Sequence, residues 1–126
     1  MPSWTKEELS KIGLAEELQV STLRPDGTFH PPVTIWVVRA GDDLYIRSAH
    51  GRGNGWFRYA LADPRGRIQA GGVEKDVAFV EPDDDIHPAL DTAYRTKYDN
   101  QPPAYVAPVT DATSATATFR LDPRDA

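Results

Sequence analysis

Arginine, serine and glycine crowd into one short stretch of this chain, Arg47-Ser48-Ala49-His50-Gly51-Arg52-Gly53-Asn54-Gly55. Arginine carries a planar, permanently charged fork that matches phosphate oxygens. Glycine lets backbone N–H groups come close to an anion. An apolar strand runs straight into this loop, and the loop opens a short aromatic helix. A strand that ends in such a loop at a helix start is a natural phosphate site. His50 is the histidine nearest the loop and titrates near neutral pH, although a solvated loop histidine is the simpler reading. Tyr45 and Tyr59 offer hydroxyls that can donate a proton. Each of these residues also has a plain structural role: Arg47 and Arg52 can pair with Asp42 or Asp43, Ser48 can cap a strand end, and Trp36 and Trp56 can simply pack.

Other chemistries lack their signatures. There is no Gly-x-Ser-x-Gly elbow, so Ser48 with His50 makes a poor hydrolase nucleophile. Three scattered histidines and no cysteine leave no zinc pattern and no disulfide framework. No Walker loop or Rossmann fingerprint is present. Asp83, Asp84 and Asp85 are adjacent and suit a solvated helix start better than a glycosidase pair.

The 126 residues are enough for one domain with one modest core. Hydrophobic content of 40% and charged content of 26% are those of an ordinary globular chain. No apolar run approaches the roughly 20 residues of a membrane span, and no signal-peptide core follows the acidic start. A cytoplasmic location and no membrane partner are expected. The net charge of −5 argues against a nucleic-acid binder. The charge is unevenly spread, because Arg39 to Arg67 holds six arginines and three aspartates, a net of +3. The rest carries −8. A basic island in an acidic chain suits a small anionic ligand.

The elements that must hold the loop follow from periodicity and turn chemistry. Residues 4–13 read as a helix with Thr5 and Glu8 as a capping box, Trp4 and Leu9 as a hydrophobic staple, and Gly13 as a left-handed C-cap. Leu18 to Leu23 is a strand, followed by a Pro25-Asp26-Gly27 turn. Val33 to Arg39 is a strand with Val33, Ile35 and Val37 on one face and Thr34, Trp36 and Val38 on the other. Both faces are apolar, so both are covered, one of them by a second subunit or a flat ligand. Ala40 to Asp43 turns into Leu44 to Ser48, with Leu44 and Ile46 inward and Tyr45 and Arg47 opposite. Asn54 is the expected N-cap of a helix through Trp56 to about Ala62, with Trp56, Phe57, Ala60 and Leu61 on its apolar face. Arg67 to Ala70 and Val73 to Glu81 pair through Gly71-Gly72. Residues 84–98 form a further helix, residues 100–108 an irregular Pro-rich connection, and residues 115–121 a last strand. Tight turns make such strands antiparallel, and closing into a barrel removes the sheet edges.

The hairpin Val33 to Ser48, the loop Gly51 to Gly55 and the helix Trp56-Phe57-Arg58-Tyr59-Ala60-Leu61-Ala62-Asp63-Pro64 together resemble the flavin- and deazaflavin-binding split β-barrel superfamily, the pyridoxamine-phosphate-oxidase-like group. Members often carry a Trp-Tyr-x-Asn-Leu-x-x-x-Pro helix. Trp56, Leu61 and Pro64 match it, and Tyr59 or Ala60 stands where the asparagine is expected. Over nearly its whole length the chain is also similar to a small uncharacterised bacterial family in that superfamily.

The resemblance implies an α+β fold, a single domain over residues 1–126 built as a six-stranded antiparallel split β-barrel with about three helices. It implies a homodimer with a cofactor groove at the interface. Arg47, Ser48 and Arg52 would meet the cofactor's phosphate, with the N–H groups of Gly53 to Gly55. Thr34 and Trp36 would lie beside its ring, with Trp56 at the groove wall. The expected cofactor is flavin mononucleotide (FMN) or the deazaflavin F420. The expected activity is oxidoreduction of a small apolar or conjugated substrate, because the cofactor does the chemistry and the protein orients it. The alternative is a binding protein of the same fold that holds a cofactor or small ligand without turnover, or has no cofactor at all.

Overall fold

The computed structural model describes residues 3–49, 51–53 and 55–124. Two sequence expectations, His50 as a titrating loop residue and Asn54 as a helix cap, lie outside the described residues. Helix α1 (Lys6–Leu14) opens on the expected capping box, with Thr5 Oγ1 accepting from the Glu8 N–H and Glu8 returning the bond. Its end differs from expectation. Gly13 stays helical and Ala15 is the C-cap, its N–H donating to the Ile12 carbonyl, and the Arg39 side chain lies 3.3 Å from where a Cβ on residue 13 would sit. A side chain there would require Arg39 to give by a few tenths of an ångström.

Seven strands follow: β1 (Leu18–Thr22), β2 (Val33–Ile35), β3 (Val37–Ala40), β4 (Asp43–Arg47), β5 (Arg65–Ala70), β6 (Val73–Val80) and β7 (Thr118–Pro123). Hydrogen-bonded neighbours run β2-β1-β5-β6-β7-β4-β3, all antiparallel. The first and last members of that order are consecutive in sequence and separated by Trp36 alone. They are two arms of the stretch read above as one strand. One arm pairs with β1, placing Ile35 opposite Leu18, and the other pairs with β4, placing Val37 opposite Ile46. The barrel nearly closes through this bend, which is why seven strands stand where six were expected.

Side chains keep alternating through the bend. Ile35 and Val37 face the barrel interior, while Trp36 and Val38 face an outer layer. Leu44 and Ile46 point inward and Tyr45 outward, as their alternation predicts. The interior is apolar, and Phe57 and Phe119 stack at its centre, 4.4 Å between ring centroids. Helix α2 (Gly55–Ala62) contributes Trp56, Phe57 and Ala60 to it, whereas Leu61 is exposed. Trp4 donates its indole N–H to the Leu121 carbonyl, tying the start of the chain to the last strand. The hairpin between β5 and β6 turns on Gly71 and Gly72, both at positive φ (58° and 83°). That is the two-residue turn matched to strand twist.

Helix α3 (His87–Lys97) lies outside the barrel against β3 and covers the outer faces of Val38 and Tyr45 with Leu90, Tyr94 and Tyr98. The outward face of the bent strand is thus covered within the protomer from Trp36 onward. The connection after α3 is more ordered than its prolines suggest. Pro103 starts a one-turn helix α4 (Pro103–Val106), a tight turn Ala107–Val109 follows, and Asp111 caps α5 (Ala112–Ala115) through the Ser114 N–H. Proline is favoured in a first turn, where its missing N–H costs nothing. Among the described residues five α-helices therefore replace the expected three, and β7 starts at Thr118 instead of Ala115.

Candidate functional site

The bend leaves backbone groups of Val37 without ladder partners, and α3 supplies them. The Tyr98 hydroxyl accepts from the Val37 N–H (3.2 Å) and donates to the Glu16 carbonyl (2.7 Å). Lys97 Nζ donates to the Val37 carbonyl at 2.6 Å. The Tyr98 ring stacks on Trp36, with centroids 3.9 Å apart and planes 5° apart. Burial pushes the Tyr98 phenol above its ordinary range. A rigid aromatic wall results at the place where the barrel changes pairing.

A groove of about 710 Å³ opens beside that wall. Thr34, Trp36 and Trp56, at the start of α2, are among its lining residues. Arg47, Tyr105 and Val109 of the proline-rich connection, and Glu16 and Glu17 line it as well. The structure thus gathers four predicted residues, Thr34, Trp36, Arg47 and Trp56, around one groove. The connection that completes it was missed, since its residues show no periodicity. A visible signal was Tyr105, an aromatic in a proline-rich run, 61% exposed.

Arg47 is fully buried and its guanidinium is already engaged. Nε donates to Thr118 Oγ1 (3.1 Å), Nη1 to Asp91 and to the Val109 carbonyl (2.8 Å), and Nη2 lies 3.1 Å from His87 Nδ1. An arginine is always a donor, so His87 Nδ1 is the accepting partner in this contact. This network pins α3 and the connection onto the end of β4. Asp91 neutralises the charge that was expected to draw an anion.

Arg52 is directed elsewhere. It donates to Glu81 and to the Thr116 carbonyl, sits over the Phe57 ring, and lines a separate polar depression with Glu81, Asp84 and His87. Ser48 is buried, with its N–H donating to the Ala117 carbonyl. Gly53 is exposed in the following turn. Neither Ser48 nor Gly53 lines either cavity. The predicted phosphate set is therefore split: Arg47 and Arg52 belong to different surfaces, and each has a carboxylate partner.

Of the two tyrosines considered as proton donors, Tyr45 is buried in the outer layer, where burial pushes its phenol up. Tyr59 is 45% exposed and stacks on His30 at 3.9 Å. Neither lines the groove. Among the described residues no group of histidines and acids could hold a metal ion, and no helix is long and apolar enough to cross a membrane.

A family model spans residues 8–121, and the family is described as an uncharacterized protein conserved in bacteria (DUF2255). The chain belongs to this family. No curated protein sequence matches it. Solved structures match it end to end at low identity. A structure described as an F420 reductase is 18% identical, covers 97% of each chain and superposes with a TM-score of 0.64. A FAD-binding protein from Mesorhizobium loti is 20% identical over 98% of this chain and 92% of its own, with a TM-score of 0.58. The heme storage protein of Vibrio cholerae is 14% identical over 100% and 93%, with a TM-score of 0.59. This DUF2255 chain therefore shares the split β-barrel fold of these structures. The three neighbours differ in what they bind, so the fold alone leaves the ligand to be argued from the groove.

Proposed function

We propose that this protein binds a flat, conjugated small molecule in the groove beside Trp36 and holds it by ring contacts, without an anion clamp inside the protomer. The observation that carries this reading is Trp36, stacked on Tyr98 behind it, in the lining of a 710 Å³ groove whose one buried cation is already paired. A flavin or deazaflavin divides into a ring and a phosphorylated tail. The ring suits a groove lined by Trp36, Trp56 and Tyr105, where an aromatic contact contributes about 1 kcal/mol beyond area burial. The phosphate does not suit Arg47, which is fully buried and committed to Thr118, Asp91, Val109 and His87. Glu16 and Glu17 among the lining residues add repulsion to an anionic tail. A homodimer fits the same reading, because Val33 and Tyr105 leave an apolar margin open beside the groove.

The second reading is a flavin- or deazaflavin-dependent oxidoreductase that transfers a hydride to or from a small apolar or conjugated substrate. The end-to-end likeness to a structure described as an F420 reductase favours it. The tail would then be held outside the two predicted arginines.

Tryptophan-fluorescence titration with riboflavin and with FMN tests the first reading. Riboflavin and FMN are expected to bind within about threefold of each other. Trp36→Ala is expected to weaken both at least tenfold, about 1.4 kcal/mol. Arg52→Ala is expected to change neither. FMN binding a hundredfold more tightly than riboflavin, with Arg52→Ala removing the difference, would overturn it. So would no binding of either ring.

A further inference from the structure

A second groove, sharing no lining residue with the first, runs between the end of α1, β3 and α3 and encloses about 600 Å³. Its walls are small or apolar, with Leu14, Val38, Ala89 and Ala93 prominent. Two charged residues line it, Arg39 and Lys97, both cations. The chain as a whole carries −5, so two cations and no acid on one apolar surface run against its charge.

Neither cation is neutralised by a close carboxylate. Lys97 is part-buried; its ammonium donates one hydrogen bond, to the Val37 carbonyl, and stands 5.1 Å from the centre of the Tyr98 ring, which leaves it without an anionic partner. No described carboxylate lies within ion-pair distance of it. Burial holds its pKa down to about 8, offset in part by the more distant Glu16. Arg39 donates Nε to the Gly41 carbonyl at 2.8 Å, and its nearest acid, Asp42, is 3.9 Å away and almost wholly exposed. Such a pair is screened by water and weak.

We infer that this groove binds an amphipathic carboxylate, an aliphatic acid of the fatty-acid class, with its head on Lys97 and its tail on Val38, Ala89, Ala93 and Leu14. The apolar walls account for the tail, since each methylene buried contributes about 0.8 kcal/mol. The head is placed by Lys97, because an anion beside it relieves the penalty of a half-buried ammonium that has no carboxylate partner. Leu14 is 84% exposed at the end of α1 and gains a partner when the tail is present. The inference does not depend on the ring site.

Calorimetric titration with sodium octanoate, beside 1-octanol as the uncharged match, tests it. Octanoate is expected to bind at least tenfold more tightly than octanol. Lys97→Met should abolish that preference. Because Lys97 also serves the bend, Ala89→Phe provides an independent variant: it fills the groove from an exposed helix position and should weaken octanoate at least tenfold. Methyl NMR shifts should centre on Leu14, Ala89 and Ala93. Equal affinity for octanol, unchanged octanoate affinity in Ala89→Phe, or shifts centred on Trp36 and Trp56 would each overturn the inference. A dimer that Ala89→Phe dissociates, with no response to octanoate, would assign this face to a second copy of the chain.

Discussion

The barrel interior and the layer beneath α3 are both buried, yet they are made of different chemistry. The interior is closed by interlocked rings, with Phe57, Phe79 and Trp56 all around Phe119. Its polar business is confined to groups such as the Trp4 indole, which finds a backbone carbonyl. The outer layer holds Arg47, Tyr94, Tyr98 and Lys97, each at least partly buried, and both grooves border it. Burial of ionisable groups costs stability unless each finds partners. The difference teaches that the barrel supplies the frame, and that the layer outside it carries the groups able to answer a ligand.

The sharpest way to break that comparison is to damage the frame. Phe119→Ala is expected to lower stability by about 3–5 kcal/mol in urea unfolding, the cost of removing a large buried ring. A smaller loss than that of any outer-layer variant would invert the ranking. Next comes Arg47 against Arg52. Arg47→Met strands a partly buried Asp91 and should cost about 2–3 kcal/mol. Arg52→Ala removes a pair whose side chains are 45% and 50% exposed, and should cost less than about 1 kcal/mol. Equal losses would mean that the two arginines do the same job after all.

The smallest effect is in pH. Lys97 has a folded-state pKa of about 8, below its ordinary 10.5. Between those values the unfolded chain binds more protons, so stability rises with pH. Tyr94 and Tyr98 are raised by burial, so their contribution falls once pH exceeds their ordinary 10. Urea midpoints at pH 7.5 and 9.5 should therefore show a gain on the order of 1 kcal/mol, allowing for partial exposure. Lys97→Met should lack that gain. A gain that survives in Lys97→Met would locate the titrating group elsewhere.

Much of the frame was legible because its signals are local. The Thr5–Glu8 box, the Gly71-Gly72 turn and the alternation of Leu44, Tyr45, Ile46 and Arg47 each depend on neighbours within a few residues. The break at Trp36 was not legible, since nothing in Val33 to Arg39 says that its two arms pair with different strands. The site was half legible for the same reason. Thr34, Trp36, Arg47 and Trp56 do meet at one groove. The partners that occupy Arg47, however, come from His87, Asp91, Val109 and Thr118, all at least 40 residues away in sequence. His87 and Asp91 lie one helical turn apart in α3, beside Leu90 and Tyr94, which placed them on a covered face and hinted at a buried cation opposite.

The single residue between β2 and β3 sets a limit on how this chain can vary in length. An insertion or deletion of one residue at Trp36 would exchange the in and out positions of one arm, driving Val38 into the barrel and Val37 out under α3. The exposed turn around Gly27, outside the seven strands, can absorb such a change at less cost. The corner cannot, so diversity in this protein's length belongs at its turns.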